Sequence, residues 1–104
     1  MKTVQIVLSD LAVADILEQA DWYRVKSGHP LTNRWDKAVT ATVLRALTNP
    51  ASGKLCSFKS PELRNVRSLP IGGFPKHLFF YQARRSEIHV LRVVHGARDL
   101  EALF

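Results

Sequence analysis

The residues best suited to chemistry lie near the end of the chain, in His95-Gly96-Ala97-Arg98-Asp99. An imidazole such as His95 exchanges protons near neutral pH. Arg98 offers a planar fork that matches a phosphate and keeps its charge. Asp99 could orient either of them, or could cap a terminal turn and pair with Arg98. Upstream, Arg64 and Arg67 precede a Gly72-Gly73 turn, Arg85 sits at a hairpin tip, and Arg92 lies among Leu91, Val93 and Val94. A guanidinium with such apolar neighbours must be paired or face a groove. Asp99 or Glu101 could be that partner. Alternation along a strand puts Arg92 on the face of Val90 and Val94, and His95 on that of Leu91 and Val93. Tyr81, closing an aromatic run, could stack a base, donate its hydroxyl or join the core.

Other chemistries find no residues to carry them. His29, His77, His89 and His95 lack zinc-type spacing, and Cys56 is the single cysteine, so no metal is expected. His77 and His89 are expected at the surface, flanking strands. Gly72-Gly73 lacks the Lys-Ser/Thr of a phosphate loop, and no serine sits in a nucleophile elbow. No cofactor is implied. Trp22, Tyr23 and Trp35 fall at helical spacing, which suits packing better than base stacking.

The charge is uneven. Fifteen Lys+Arg against nine Asp+Glu give +6 over 104 residues. Residues 1–50 contribute +1 and residues 51–104 contribute +5. Such a field attracts nucleic acid, an acidic protein or an anionic surface; a merely soluble basic surface is the plain alternative. A hydrophobic content of 46% suffices for one core, expected as a single domain over 1–104. The lone cysteine suits a reducing compartment. The N-terminal apolar stretch is interrupted by Gln5 and ended by Ser9-Asp10, so neither a signal peptide nor a membrane span is expected. The reading is cytoplasmic.

The elements that must position these residues are legible in order. Val4, Ile6 and Leu8 alternate with Thr3, Gln5 and Val7 as a strand. Ser9 can cap a helix whose stripe is Ala12, Ile16, Ala20 and Tyr23, widened by Val13 and Leu17, with Asp15, Glu18 and Asp21 on the other side. Gly28 and Pro30 stop it. Thr32 is the expected cap of a second helix with Trp35, Ala38, Val39, Thr42, Val43, Ala46 and Leu47 inward, ended by Asn49-Pro50. The short connection makes an antiparallel helical hairpin. Residues 51–63 read as loop. Strands follow around Val66–Leu69, Leu78–Tyr81 and His89–Val94, with turns at Gly72-Gly73 with Pro75, and at Arg84-Arg85-Ser86. Leu100–Phe104 makes a last turn or a docked tail. The order β-αα-βββ predicts an α+β fold, a helical hairpin on one face of a mainly antiparallel sheet. The sheet's other face is expected to be uncovered and functional.

Several segments together resemble the ParE/RelE toxin superfamily. They are Arg67-Ser68-Leu69-Pro70, Gly73–Leu78, the aromatic strand ending at Tyr81, and Leu91–Asp99. The ending LRVVHGARDLEALF is most similar to the ParE-type, plasmid-stabilisation branch, and LSDLAVADILEQADWYRVKSG and RWDKAVTATVLRALTNPASGK resemble the two helices of these toxins. The resemblance implies the toxin of a type II toxin–antitoxin pair, neutralised by a cognate antitoxin. It implies either poisoning of DNA gyrase or, as in RelE-like members, cleavage of mRNA on the ribosome. A non-toxic binding module or decayed toxin is a third reading. For the nuclease, the matching positions are Arg67, Tyr81, His95 and Arg98. The dense Lys/Arg set of RelE and the terminal His-Tyr of the YoeB branch are missing, which favours gyrase. Arg64, Arg67, Arg85, Arg92, His95 and Arg98 are then the expected target or partner contacts. The assembly is open between a homodimer and a toxin–antitoxin hetero-oligomer.

Overall fold

The structure, a computed structural model, describes residues 5–96 and Ala102. Strand β1 (Gln5–Leu8) opens it. Ser9 caps helix α1 (Asp10–Ser27) as expected: its Oγ accepts from the Ala12 N–H at 3.0 Å and donates to the Leu91 carbonyl at 2.8 Å. One hydroxyl thereby starts the helix and pins it beside the last strand. Asp10 in the first turn and Arg24 and Lys26 in the last suit the helix dipole. Gly28 ends α1 at φ 81°, a left-handed geometry that favours glycine.

Helix α2 (His29–Thr48) begins immediately. Pro30 therefore opens the second helix as well as closing the first, because a first-turn residue has no intrahelical N–H bond to lose. Thr32, the expected cap, lies inside the helix, where its hydroxyl reaches the Gly28 carbonyl at 3.3 Å. The predicted inner stripe of α2 holds, with Trp35, Val39, Thr42 and Ala46 buried. On α1, Ala12 and Tyr23 are buried, but Val13 and Leu17 do not widen the stripe; Leu17 is 59% exposed. Leu11, Trp22 and Val25 also face outward, so α1 is apolar on more than one side.

After α2 come β2 (Lys54–Leu55), a short 3-10 turn (Pro61–Leu63), β3 (Arg67–Ile71), β4 (Phe74–Arg84) and β5 (Glu87–His95). The sheet order is β1-β5-β4-β3-β2, with β1 parallel to β5 and the other neighbours antiparallel. The α+β, mainly antiparallel architecture is as predicted. The segment read as loop contributes β2, paired through Lys54–Ser68 and Leu55–Arg67. Pro75 lies in β4 and not in the turn. The register passes from Pro70–Leu78 to Ile71–Phe74, so Pro75 has no β3 partner and its missing N–H breaks no bond on that side. Arg84 likewise belongs to β4, pairing with Glu87; the tip is Arg85-Ser86.

Two cores flank the sheet. Between helices and sheet lie Trp35, Ile71, Phe79, Tyr81, Ile88 and Val90 with their neighbours. On the opposite face Val66, Phe80 and Val94 gather Cys56, Phe58, Leu63, Leu78 and Leu91. That face was expected to be uncovered; instead the segment between β2 and β3 folds back across its centre, because Phe80 and its neighbours would otherwise expose a contiguous apolar surface.

Candidate functional site

Alternation along β5 fails at one place, and the failure sets the geometry of the site. Phe80 pairs with Arg92 and Tyr81 with Val90, which leaves Leu91 as an extra residue. This bulge puts Val90 and Val93 together in the helix-side core and Val94 in the other. The expected grouping of Arg92 with both Val90 and Val94 is corrected accordingly.

β1 ends at Leu8, opposite Val90. Beyond that point one edge of β5 has no strand partner among the described residues, and α1 lies along it. Asp15 closes this edge. Its Oδ2 accepts from the Val93 N–H at 3.0 Å and from Arg92 Nε at 2.7 Å, and its Oδ1 accepts from Arg92 Nη2 at 2.8 Å. Both side chains are nearly buried, 12% and 11% exposed. The hydrogen bond to Asp15 raises the Arg92 pKa further above its ordinary value, against the opposing effect of burial. Arg92 is thus paired with Asp15. Asp99 and Glu101, the partners considered from sequence, lie outside the described residues, as do Arg98 and most of the segment 97–104.

His95 faces His77 across the β4–β5 pair, ring centroids 5.5 Å apart, and His77 meets Trp35 edge-on at 5.1 Å. His77 is therefore half-buried within β4 and not a surface flank. Burial first, and the neighbouring His95 second, lower its pKa below the usual histidine value. His89, also within a strand, touches Glu87 at 2.9 Å. A cleft of about 260 Å³ separates α1 from the end of β5, bordered by Glu18, Trp22, His77, Arg92 and His95.

Tyr81 and Arg67 sit elsewhere. The Tyr81 ring is fully buried; its hydroxyl donates to the Pro50 carbonyl at 2.7 Å and accepts from the Gly53 N–H at 3.0 Å. Arg67 Nη1 donates to the carbonyls of Gly53 at 2.9 Å and Ala51 at 3.4 Å. Together they latch the connection after α2 onto the sheet. Gly53 makes the latch fit: a Cβ there would meet Tyr81 Oη at 2.7 Å.

A third group surrounds Gln82, on the face away from the helices. Gln82 Nε2 donates to the carbonyls of Glu62 at 3.0 Å and Arg64 at 2.7 Å, and its Oε1 accepts from Arg84. Arg85 follows at φ 50°, exposed on the tip. The sequence-predicted residues are thus not gathered in one site: Arg92 lies with His95, Arg67 with Tyr81, Arg64 beside Gln82, and Arg85 on the hairpin tip. Asp15 and Gly53 were not singled out from sequence. The one signal for Asp15 is its position beside Ile16, at the border of the apolar stripe; for Gly53 it is the Ser52-Gly53 turn.

Among the described residues there is no group of three or more His, Cys, Asp or Glu able to hold a metal. No helix among them is long and apolar enough to cross a membrane.

Over residues 6–100 the chain matches the family described as ParE toxin of type II toxin-antitoxin system, parDE. No curated protein sequence matches it. Among solved structures it is similar to a chain of the chromosomal ParDE TA system from P. aeruginosa, at TM-score 0.71 and 18% identity, over 90% of this chain and 96% of that one. At that identity the likeness is one of fold.

Proposed function

We propose a function from one premise: this chain belongs to the ParE toxin family of type II toxin–antitoxin systems. It acts on DNA gyrase through a complementary surface, and a cognate antitoxin neutralises it in the cytoplasm. The observation that favours gyrase over mRNA is the placement of Tyr81 and Arg67. A nuclease must bring a base, an acid and phosphate clamps around one phosphodiester. Tyr81 is sealed in the core with both hydroxyl functions engaged, and Arg67 is turned onto backbone carbonyls. His95 stands apart from them, beside His77. A surface binder needs no such convergence. Arg64 and Arg85, both exposed, are the proposed contacts, with Arg98 beside them in role.

Purified protein added to a gyrase supercoiling reaction should inhibit it, and Arg64→Glu/Arg85→Glu should relieve the inhibition without loss of fold. Full supercoiling at excess protein refutes the reading. Primer extension on cellular mRNA after induction should show no new codon-linked ends; ends that vanish in His95→Ala would establish the nuclease instead.

The P. aeruginosa structure of the same fold is a ParDE system, which supports an antitoxin partner here. The sheet's second face is already covered, so the partner's apolar residues are assigned to the outer surface of α1, where Leu11, Leu17, Trp22 and Val25 are exposed. Its acidic residues are assigned to the basic rim. Leu17→Asp/Trp22→Ser should abolish co-purification with the neighbour-encoded protein; undiminished co-purification would exclude that surface.

A further inference from the structure

A second cleft, about 340 Å³, lies between α2 and the β3–β4 turn. Its walls are Arg34 and Lys37 from the helix and Gly72 and Gly73 from the turn; Leu31 and Phe74 form its apolar floor. Leu31, Arg34 and Lys37 are spaced by three, so α2 presents them along one side. Both cations are exposed, and neither has an ion-pair partner among the described residues. The first turn of α2 carries no acidic residue and no side-chain cap, so its positive dipole end adds to the same field.

The two glycines differ in what they require. Gly73 has φ 81°, which the turn demands. Gly72 has no such need: its φ is ordinary, and a Cβ there would meet nothing within 4 Å. It borders the cleft, so a bulkier residue there would add a side chain beside the cleft's walls. Neither glycine amide donates a backbone hydrogen bond within the turns and loops of the described residues, and an unpaired N–H in a glycine turn is a ready donor to an anion.

We propose that this cleft binds a nucleotide unit, its phosphate held by Arg34 and Lys37 at the Gly72-Gly73 turn and its base against Leu31 and Phe74. The guanidinium fork can take two oxygens of a phosphate and the ammonium a third, whereas a lone carboxylate offers only two. The apolar floor gives a flat base somewhere to lie that a bare inorganic ion would not use. The unit comes either from a free nucleotide or from a nucleic-acid strand. The proposal is independent of the gyrase reading.

The test uses the folded full-length chain and a fluorescent single-stranded oligonucleotide, with ATP and inorganic phosphate as competitors. Arg34→Glu/Lys37→Glu should weaken binding at least about tenfold and flatten the salt dependence by roughly one to two units of log–log slope. Arg45→Glu/Lys54→Glu changes net charge equally from elsewhere on the surface and should cost under about threefold. Gly72→Leu adds bulk at the border of the cleft with no change of charge and should also weaken binding by several fold, its fold verified by circular dichroism. Displacement by ATP at concentrations where phosphate fails identifies a free nucleotide. Displacement only by unlabelled oligonucleotide identifies a strand. Equal losses in the two charge-reversal pairs, full binding by Gly72→Leu, or phosphate competing as well as ATP would each overturn the assignment.

Discussion

Asp15→Ala tests how α1 is fastened to the sheet. The substitution removes three hydrogen bonds at once, two from Arg92 at 2.7 and 2.8 Å and one from the Val93 N–H at 3.0 Å. It takes the carboxylate away from a guanidinium that is 12% exposed and from the edge amide of Val93. Breaking one side of a buried ion pair costs about 3–5 kcal/mol. The slight exposure of the pair places the expected loss near the lower end, about 3 kcal/mol. For a domain of this size that lowers Tm by roughly 12–25 °C. Urea denaturation gives the free energy, and an unchanged slope would show that both proteins unfold as one unit. The double variant Asp15→Leu/Arg92→Met removes the guanidinium together with its carboxylate and should recover at least about 2 kcal/mol relative to additivity. Arg92 keeps its proton throughout the neutral range, since its pKa is raised; the stability it contributes is lost only as pH climbs through that raised value, so the deficit should be the same at pH 6 and pH 8. A loss below about 1 kcal/mol, or strict additivity, would refute the account, because an exposed surface pair behaves that way.

Three further outcomes are expected. Because burial lowers the His77 pKa, the unfolded chain takes up its proton first; stability should fall as pH drops below the ordinary histidine value, and His77→Gln should flatten that dependence in urea midpoints measured between pH 7.5 and 5. Gly53→Ala should destabilise by about 1–3 kcal/mol, because the added methyl meets a ring that is walled in, and a wild-type melting curve would show that the latch yields. Tyr81→Phe should cost about 1–3 kcal/mol for the stranded Pro50 carbonyl and Gly53 amide, yet leave gyrase inhibition intact at temperatures where the fold persists; loss of inhibition in a folded protein would give Tyr81 a contact role.

The helices and the β-hairpins were legible because each announces itself locally. Ser9 and Gly28 mark the bounds of α1 by side-chain capping and left-handed geometry, and the stripe from Trp35 to Leu47 has one period throughout. What was not legible depends on partners distant in sequence. Asp15 looks like a solvent-facing acid until β1 stops at Leu8 and exposes the edge that Asp15 then closes, 78 residues away at Val93. The bulge at Leu91 has no glycine to flag it, so strict alternation misplaces Val94. Cys56, Phe58 and Leu63 read as scattered apolar residues in a loop, and their common purpose appears only when Phe80 is seen to need a cover. Tyr81 and Arg67 belong to residue types that often carry chemistry, but composition cannot say that both are spent on holding residues 50–53 in place.

The end of β1 at Leu8 links these findings. The strand reaches Val90 and no further, so the last part of β5 is met, among the described residues, by side chains of Ser9 and Asp15 instead of a strand. Ser9 takes the Leu91 carbonyl and Asp15 takes the Val93 amide, which are successive bonding positions on that edge. The bulge at Leu91 lies between them, and it turns Val93 back to the helix side while Arg92 swings to Asp15. Had β1 continued by two residues, α1 would start later and the cleft that holds His95 would be filled by backbone. The position of that cleft therefore follows from where β1 ends, and extending β1 past Leu8 should close it without disturbing the hairpin of β4 and β5.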